Sequence, residues 1–320
     1  MLLTKSSLVV AAMLLVNTSG STFCAGQSAN PVPVNRAGNA NMPDAEFPPG
    51  QKDKDVAKSE ILKLAEGSHS QVTNAFLVVA RDPRVYGDLQ KLVPGLPNLL
   101  DDFFNGRAVV AAFMGERNTG GYSVEISRAP NGSIRVIANT PPKNAMVTQV
   151  ITAPFKVVSI PTQPSLVVEA DDDWRQSMRT YGIKSGGFSM SGGFAGRTET
   201  FDLAGDISVM REGKLVTLLF DLKSSGGEKQ RVLREAATGV TEKGDIEVWR
   251  IGAGSLIEIP HSDLSARGKF ADKKSQLELE LTSLPNMIAD GYGGRGTIEA
   301  EAPATPMQAK PVVNNKNPIE

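Results

Sequence analysis

Residues 108–161 read AVVAAFMGERNTGGYSVEISRAPNGSIRVIANTPPKNAMVTQVITAPFKVVSIP. Runs rich in Val, Ile, Ala and Phe alternate there with Gly, Pro and Asn. That spacing, begun one residue earlier, predicts strands over 107–114, 122–127, 133–139, 146–152 and 155–160. Pro130-Asn131-Gly132 and Pro141-Pro142 mark turns between them.

Upstream, NAFLVVA at 74–80 has the same β character. Val85, Tyr86, Leu89, Leu92 and Val93 predict a brief helix within 83–100, broken by Pro94 and Pro97. A second short amphipathic helix is expected over 54–66, where Val56, Ile61, Leu62 and Leu64 lie among charges and Gly67 closes the run. Residues 54–168 thus read as one small β-rich domain with a helical insertion.

Downstream, EADDDWRQSMRTY at 169–181 interrupts the β pattern with an acidic cluster and a helical turn, and predicts a linker over 169–184. The cluster lacks the spaced ligands, the Gly and the final Glu of a calcium loop, so an Asp-rich helix start accounts for it. From 185 to 301 β patterns return at 200–210, 215–222, 246–251 and 276–281. Arg211-Glu212-Gly213-Lys214 reads as a hairpin turn, and Lys243-Gly244-Asp245 introduces the third run. Even spacing and Gly-rich joints predict a sandwich or barrel, so the expected fold class is mainly β, in two β-rich domains with short helical insertions.

Residues 27–53 and 302–320 hold much Asn, Pro and Ala and few large apolar groups, and are expected to be disordered tails. Before them, one Lys, an apolar run over 6–16 and small residues through 26 have the three parts of a secretory signal peptide. Its apolar core is shorter than the roughly 20 residues of a membrane span. Cys24, the only cysteine, stands where a lipoprotein signal places its acylated residue. The bulky Phe23 beside it favours ordinary cleavage after Cys24 or Gly26. The mature chain is therefore expected to be secreted or periplasmic, without a later transmembrane anchor.

Composition narrows the chemistry. Loss of residues 1–26 removes one of 34 basic residues and none of 35 acidic ones, leaving a near-neutral chain with no electrostatic pull toward nucleic acid. Two histidines, His69 and His261, and a single cysteine cannot furnish a zinc set. His261 follows Pro260 with Ser262 and Asp263 adjacent, whereas triad members converge in space rather than in sequence. The glycines of 186–194 lack the Lys and the strand-to-helix context of a phosphate loop, and read as a flexible loop or an eased strand bend. A non-enzymatic protein without metal or cofactor is expected.

The order of Gly115, Thr119-Gly120-Gly121-Tyr122, Ile126, Pro141-Pro142, Thr152-Ala153-Pro154-Phe155, Val157-Val158 and Pro161 resembles the C-terminal domain of PrcB protease-complex subunits. Residues 99–106, with Asp102-Phe103, extend the likeness, which covers about 71–161; Phe155 stands where the family has Tyr. The resemblance implies an exported β module that associates with a secreted protease and supports it, and brings no catalytic residues.

Two readings of the turn follow. In one, the glycines shape a tight connection and Tyr122 faces the core. In the other, Arg117, Asn118, Thr119, Gly120, Gly121 and Tyr122 form a displayed binding loop, since Arg and Tyr are residue types that anchor interfaces. That loop is similar to the Asn-Pro-Thr-Thr-Gly-Tyr loop of chagasin-type protease inhibitors, without the Pro and with Gly for the second Thr. Beside the protease-associated module stand two alternatives. One is an inhibitor acting through 117–122; the other is a structural or glycan-associated envelope protein using Trp249 and Tyr292.

Overall fold

The computed structural model describes residues 61–163, 165–192, 197–225, 230–252, 263–271, 274–283 and 293–303. The expected signal peptide and leader, and the expected C-terminal tail from 304 on, with Cys24, His261 and Tyr292, lie outside them, whereas Ala302 of that tail is buried against the barrel core. The described residues belong to one compact unit, and it is mainly β.

Its first part holds two small sheets. Strands β1 (Leu62–Gly67), β2 (Phe76–Ala80), β3 (Arg107–Phe113) and β6 (Phe155–Pro161) make an antiparallel sheet in the order β1-β6-β3-β2. Phe76–Ala80 and residues 108–113 are buried throughout, so both strands read as unbroken apolar runs rather than as alternation. Strands β4 (Ser123–Arg128), β5 (Ile134–Asn139) and β7 (Val168–Ala170) make the second sheet, with β7 parallel to β5.

Helix α1 (Pro83–Leu92) begins where Asp82 accepts from the amides of Arg84 at 2.8 Å and Val85 at 3.3 Å, with Pro83 at the first helical position. Helix α2 (Asp172–Arg175) is one turn that buries Trp174. No helix among the described residues is long and apolar enough to cross a membrane.

The second part is a closed eight-stranded meander. Strands β8 (Arg179–Gly192), β9 (Arg197–Glu212), β10 (Leu215–Ser225), β11 (Val232–Glu242), β12 (Asp245–Gly252), β13 (Asp263–Ala271), β14 (Gln276–Ser283) and β15 (Gly293–Glu301) pair antiparallel with their sequence neighbours, and β15 returns to β8. Of the two expected architectures it is therefore the barrel. Strand β14, QLELELTS, shows how sequence closes it: Leu277, Leu279 and Leu281 are buried while Glu278 and Glu280 lie on the other face. Alternating apolar side chains such as Phe188, Phe201, Leu218, Leu222 and Val248 join those leucines in the barrel core.

The two parts share apolar contacts. Met210, Leu215 and Ala236 of the barrel belong to the core cluster of Phe76, Leu89, Phe113, Ile160 and Trp174. The free edge of β2 is met by side chains of the barrel wall rather than by a strand. Thr217 Oγ1 donates to the Leu77 carbonyl at 2.5 Å, the Val79 amide donates to Thr238 Oγ1 at 2.7 Å, and the two hydroxyls lie 2.7 Å apart.

Two expected elements differ. Of the helix expected over 54–66, the described residues from Leu62 onward form strand β1, because β6 offers an open edge and the partly buried Leu64 and Ala65 pack on the core. The strand expected over 146–152 is a loop, whose β-pairing is one isolated bridge between Arg117 and Thr152. The Gly-rich 186–192 stretch lies within β8, where pairing with β9 shifts register between Gly182 and Gly187, so the eased strand bend is what forms.

Candidate interaction site

The turn after β3 is built from backbone constraints. At Gly115, φ is 72°, and a Cβ would lie 2.6 Å from the Thr73 carbonyl oxygen, so only glycine lets the chain leave β3 there. Arg117 and Thr152 then exchange amide-to-carbonyl hydrogen bonds at 2.7 and 2.9 Å. Thr152 Oγ1 donates to the Thr119 carbonyl at 2.9 Å, and the Gly120 amide donates to the Thr148 carbonyl at 2.9 Å.

The two central glycines do different work. Gly120 is buried, and a Cβ there would run into Thr148 Oγ1. Gly121 adopts φ 85°, with Pro141 and Val147 at 3.0 and 3.1 Å from where its Cβ would sit. Residues 141–152 therefore lie against the turn and brace it.

The candidate binding residues are placed unequally. Asn118 and Gly121 are exposed, Thr119 is half-buried, and Tyr122 packs half-buried on the core. Arg117 is held from the far side of the linker: its Nη2 donates to Asp173 Oδ1 at 2.9 Å, and its guanidinium lies 5.7 Å from the centre of the Tyr122 ring. Both members of that ion pair are partly screened from water, Arg117 at 25% and Asp173 at 33% side-chain exposure.

The acidic cluster is bound up in the same support. Asp171 Oδ2 accepts from the Ala138 amide at 2.6 Å, while its Oδ1 caps α2 through the Asp173 amide at 3.2 Å. Asp172 pairs with Arg175 at 3.8 Å. Each of the three carboxylates has a structural partner, as a helix start would require.

The outward surface of the bracing loop was not singled out by the sequence. Met146, Val150 and Ile151 are exposed by 104%, 53% and 62%, three of the five large apolar side chains so exposed among the described residues. Lys143 is the one charged residue in 140–152. A strand pattern concealed them, since alternation of polar and apolar residues reads the same whether or not a partner strand exists.

The other candidates lie elsewhere. His69 is exposed, its Nδ1 2.9 Å from the hydroxyl of the adjacent Ser68. Trp249 is half-buried with the Arg84 guanidinium 3.3 Å over its ring, so a cation covers the face on which a sugar would stack.

Residues 108–161, from β3 through the turn and the bracing loop to the end of β6, match the PrcB C-terminal family. The match bears out the resemblance over a shorter span than 71–161. No curated protein matches the chain.

Proposed function

We propose, from the match of residues 108–161 to the PrcB C-terminal family, that this is an exported, non-enzymatic module that binds a secreted protease and supports its stability or activity. The contact surface in this reading is the loop over 141–151 with the exposed rim of the turn. The carrying observation is that Met146, Val150 and Ile151 project from within the matched segment on a loop hydrogen-bonded from beneath. Exposed apolar side chains on a braced support lose little conformational freedom on binding, and Met adapts to irregular surfaces.

Arg117 and Tyr122 support the loop from below in this reading rather than reaching into an active-site cleft. The three-part pattern of residues 1–26, one Lys, an apolar run and small residues, supports a meeting with the protease outside the cytoplasm.

The test is capture from the envelope fraction of the native organism with the mature protein from Gln27, followed by mass spectrometry and by a stability and activity assay of any protease recovered. A protease that survives longer with the protein present is the expected result. A protease slowed by it would favour the inhibitor alternative, and recovery of envelope proteins or glycan without any protease would defeat the proposal.

A further inference from the structure

The barrel wall has a split. Strand β11 shares nine register pairs with β10, yet among the described residues only Val240, Thr241 and Glu242 pair with β12. Toward the start of β11, the edge away from β10 is met by the chain leaving β6. The Ala236 amide donates to the Leu166 carbonyl at 2.8 Å, and Ser165 Oγ donates to the Arg234 carbonyl at 2.6 Å. The Leu166 amide donates to Glu235 Oε2 at 2.6 Å.

Arg81, at the corner between β2 and α1, closes the same place. Its Nη2 is paired with Glu235 Oε1, and its Nη1 donates to the Gln163 carbonyl at 3.4 Å. Both side chains are buried, Arg81 at 4% and Glu235 at 0% exposure. On the β12 side, Arg250 has φ 55° within an irregular stretch of the β12–β13 ladder. Its Nη1 donates to the Phe104 carbonyl at 3.0 Å.

We propose that Arg81, Ser165 and Leu166 form a strap over this split, and that the strap releases locally, freeing the edge of β11 and baring the apolar barrel core while the other strands stay closed. Few bonds hold the split among the described residues: the Arg81–Glu235 contact and the hydrogen bonds of Gln163, Ser165 and Leu166 stand where a strand ladder would otherwise run. Segments held by few bonds open below the global unfolding free energy. Leu233, Ala237, Val248 and Ile251, buried in the barrel core on the two strands that flank the split, become accessible on release.

Release is linked to a proton. Burial pushes the Glu235 carboxyl up to about 7 against the pull of Arg81, the Leu166 amide and the nearby Ser165 hydroxyl, and the charge of Asp263 on β13 adds to the rise. The other charged groups around the split are Asp82, whose Oδ2 is buried without a hydrogen bond, Arg234 on β11 and Arg250 on β12. Opening returns Glu235 to water, where it ionises at ordinary carboxylate pH. A proton therefore leaves on opening, and the split opens more readily as pH rises through about 7.

Hydrogen exchange of the full chain, followed by mass spectrometry and corrected for intrinsic rates, tests this. Peptides covering 163–168, β11 and β12 are expected to exchange at least tenfold faster than those of β13 to β15. Ser165→Ala is expected to speed those same peptides several-fold and leave the rest unchanged. Between pH 6 and 8 their opening should rise in the wild type and stay flat in Glu235→Gln. Equal protection around the whole barrel, or uniform acceleration by Ser165→Ala, would overturn the strap. Absence of the pH trend in the wild type, or its survival in Glu235→Gln, would overturn the proton linkage.

Discussion

Glu235 shows at the residue scale how burial and pairing compete. Removal from water raises its carboxyl to about 7, and Arg81 opposes that rise without cancelling it. A carboxyl whose folded value lies above its unfolded one contributes stability that is complete below the ordinary carboxylate range. That contribution is lost as pH climbs through about 7. Thermal melts of the wild type from pH 5 to 8 should therefore show a falling Tm, by an amount equivalent to at most about 3 kcal/mol, and Glu235→Gln should flatten the slope. A steeper fall in the variant would contradict the burial account. Glycines make the second residue-scale case. Gly115→Ala forces a side chain into the left-handed region and onto the Thr73 carbonyl, and should cost about 2 kcal/mol or more in urea unfolding. Gly121→Ala meets only the Pro141 and Val147 side chains and should cost about 1 kcal/mol. The sequence made the need for glycine in the turn legible; it did not distinguish Gly120, needed for closeness, from Gly121, needed for its φ.

Elements were legible where a local period decides them and obscure where a distant neighbour does. The Phe76–Ala80 and Arg107–Phe113 runs and the Pro83–Leu92 helix announce themselves through apolar runs and caps. Leu62–Gly67 did not, because LKLAEG suits a helix as well as an edge strand, and β6, far along the chain, settles it. The 146–152 loop is the reverse case: a strand pattern that finds only one bridging partner. Its exposed side chains made no mark in the sequence as a candidate contact. Replacing Met146, Val150 and Ile151 together by Ser should change stability by less than about 0.5 kcal/mol, since none is buried, while abolishing capture of the partner. A large loss of stability would return the loop to the core. The edge of β2 offers another test. Thr217→Val leaves the buried Leu77 carbonyl without its donor, and Thr238→Val leaves the Val79 amide without its acceptor. Each should cost about 1–3 kcal/mol, and the double variant less than their sum, because the two hydroxyls share one network.

Across the whole molecule, the sheets and the barrel are joined by side chains common to one core, which no local pattern in the sequence signals. The chain has two tryptophans, Trp174 in the core of the first part and Trp249 on the barrel. Trp174→Phe and Trp249→Phe variants therefore each leave one fluorescent reporter, the former on the barrel beside Arg84 of α1 and the latter in the first part's core. Their urea midpoints should coincide with each other and with loss of β-sheet circular dichroism; two separate midpoints would show parts that unfold independently. Closure of the barrel has a further consequence during synthesis. Strand β8 finds its second neighbour only in β15, with Gly182 opposite Glu301 and Lys184 paired to that same Glu301 at 2.9 Å. A chain emerging from its N-terminal end must carry the bare flank of β8 until almost the last described residue is made. Until then it is an open ribbon whose β8 edge can pair with other unfinished copies, and β15 is the strand that removes that edge.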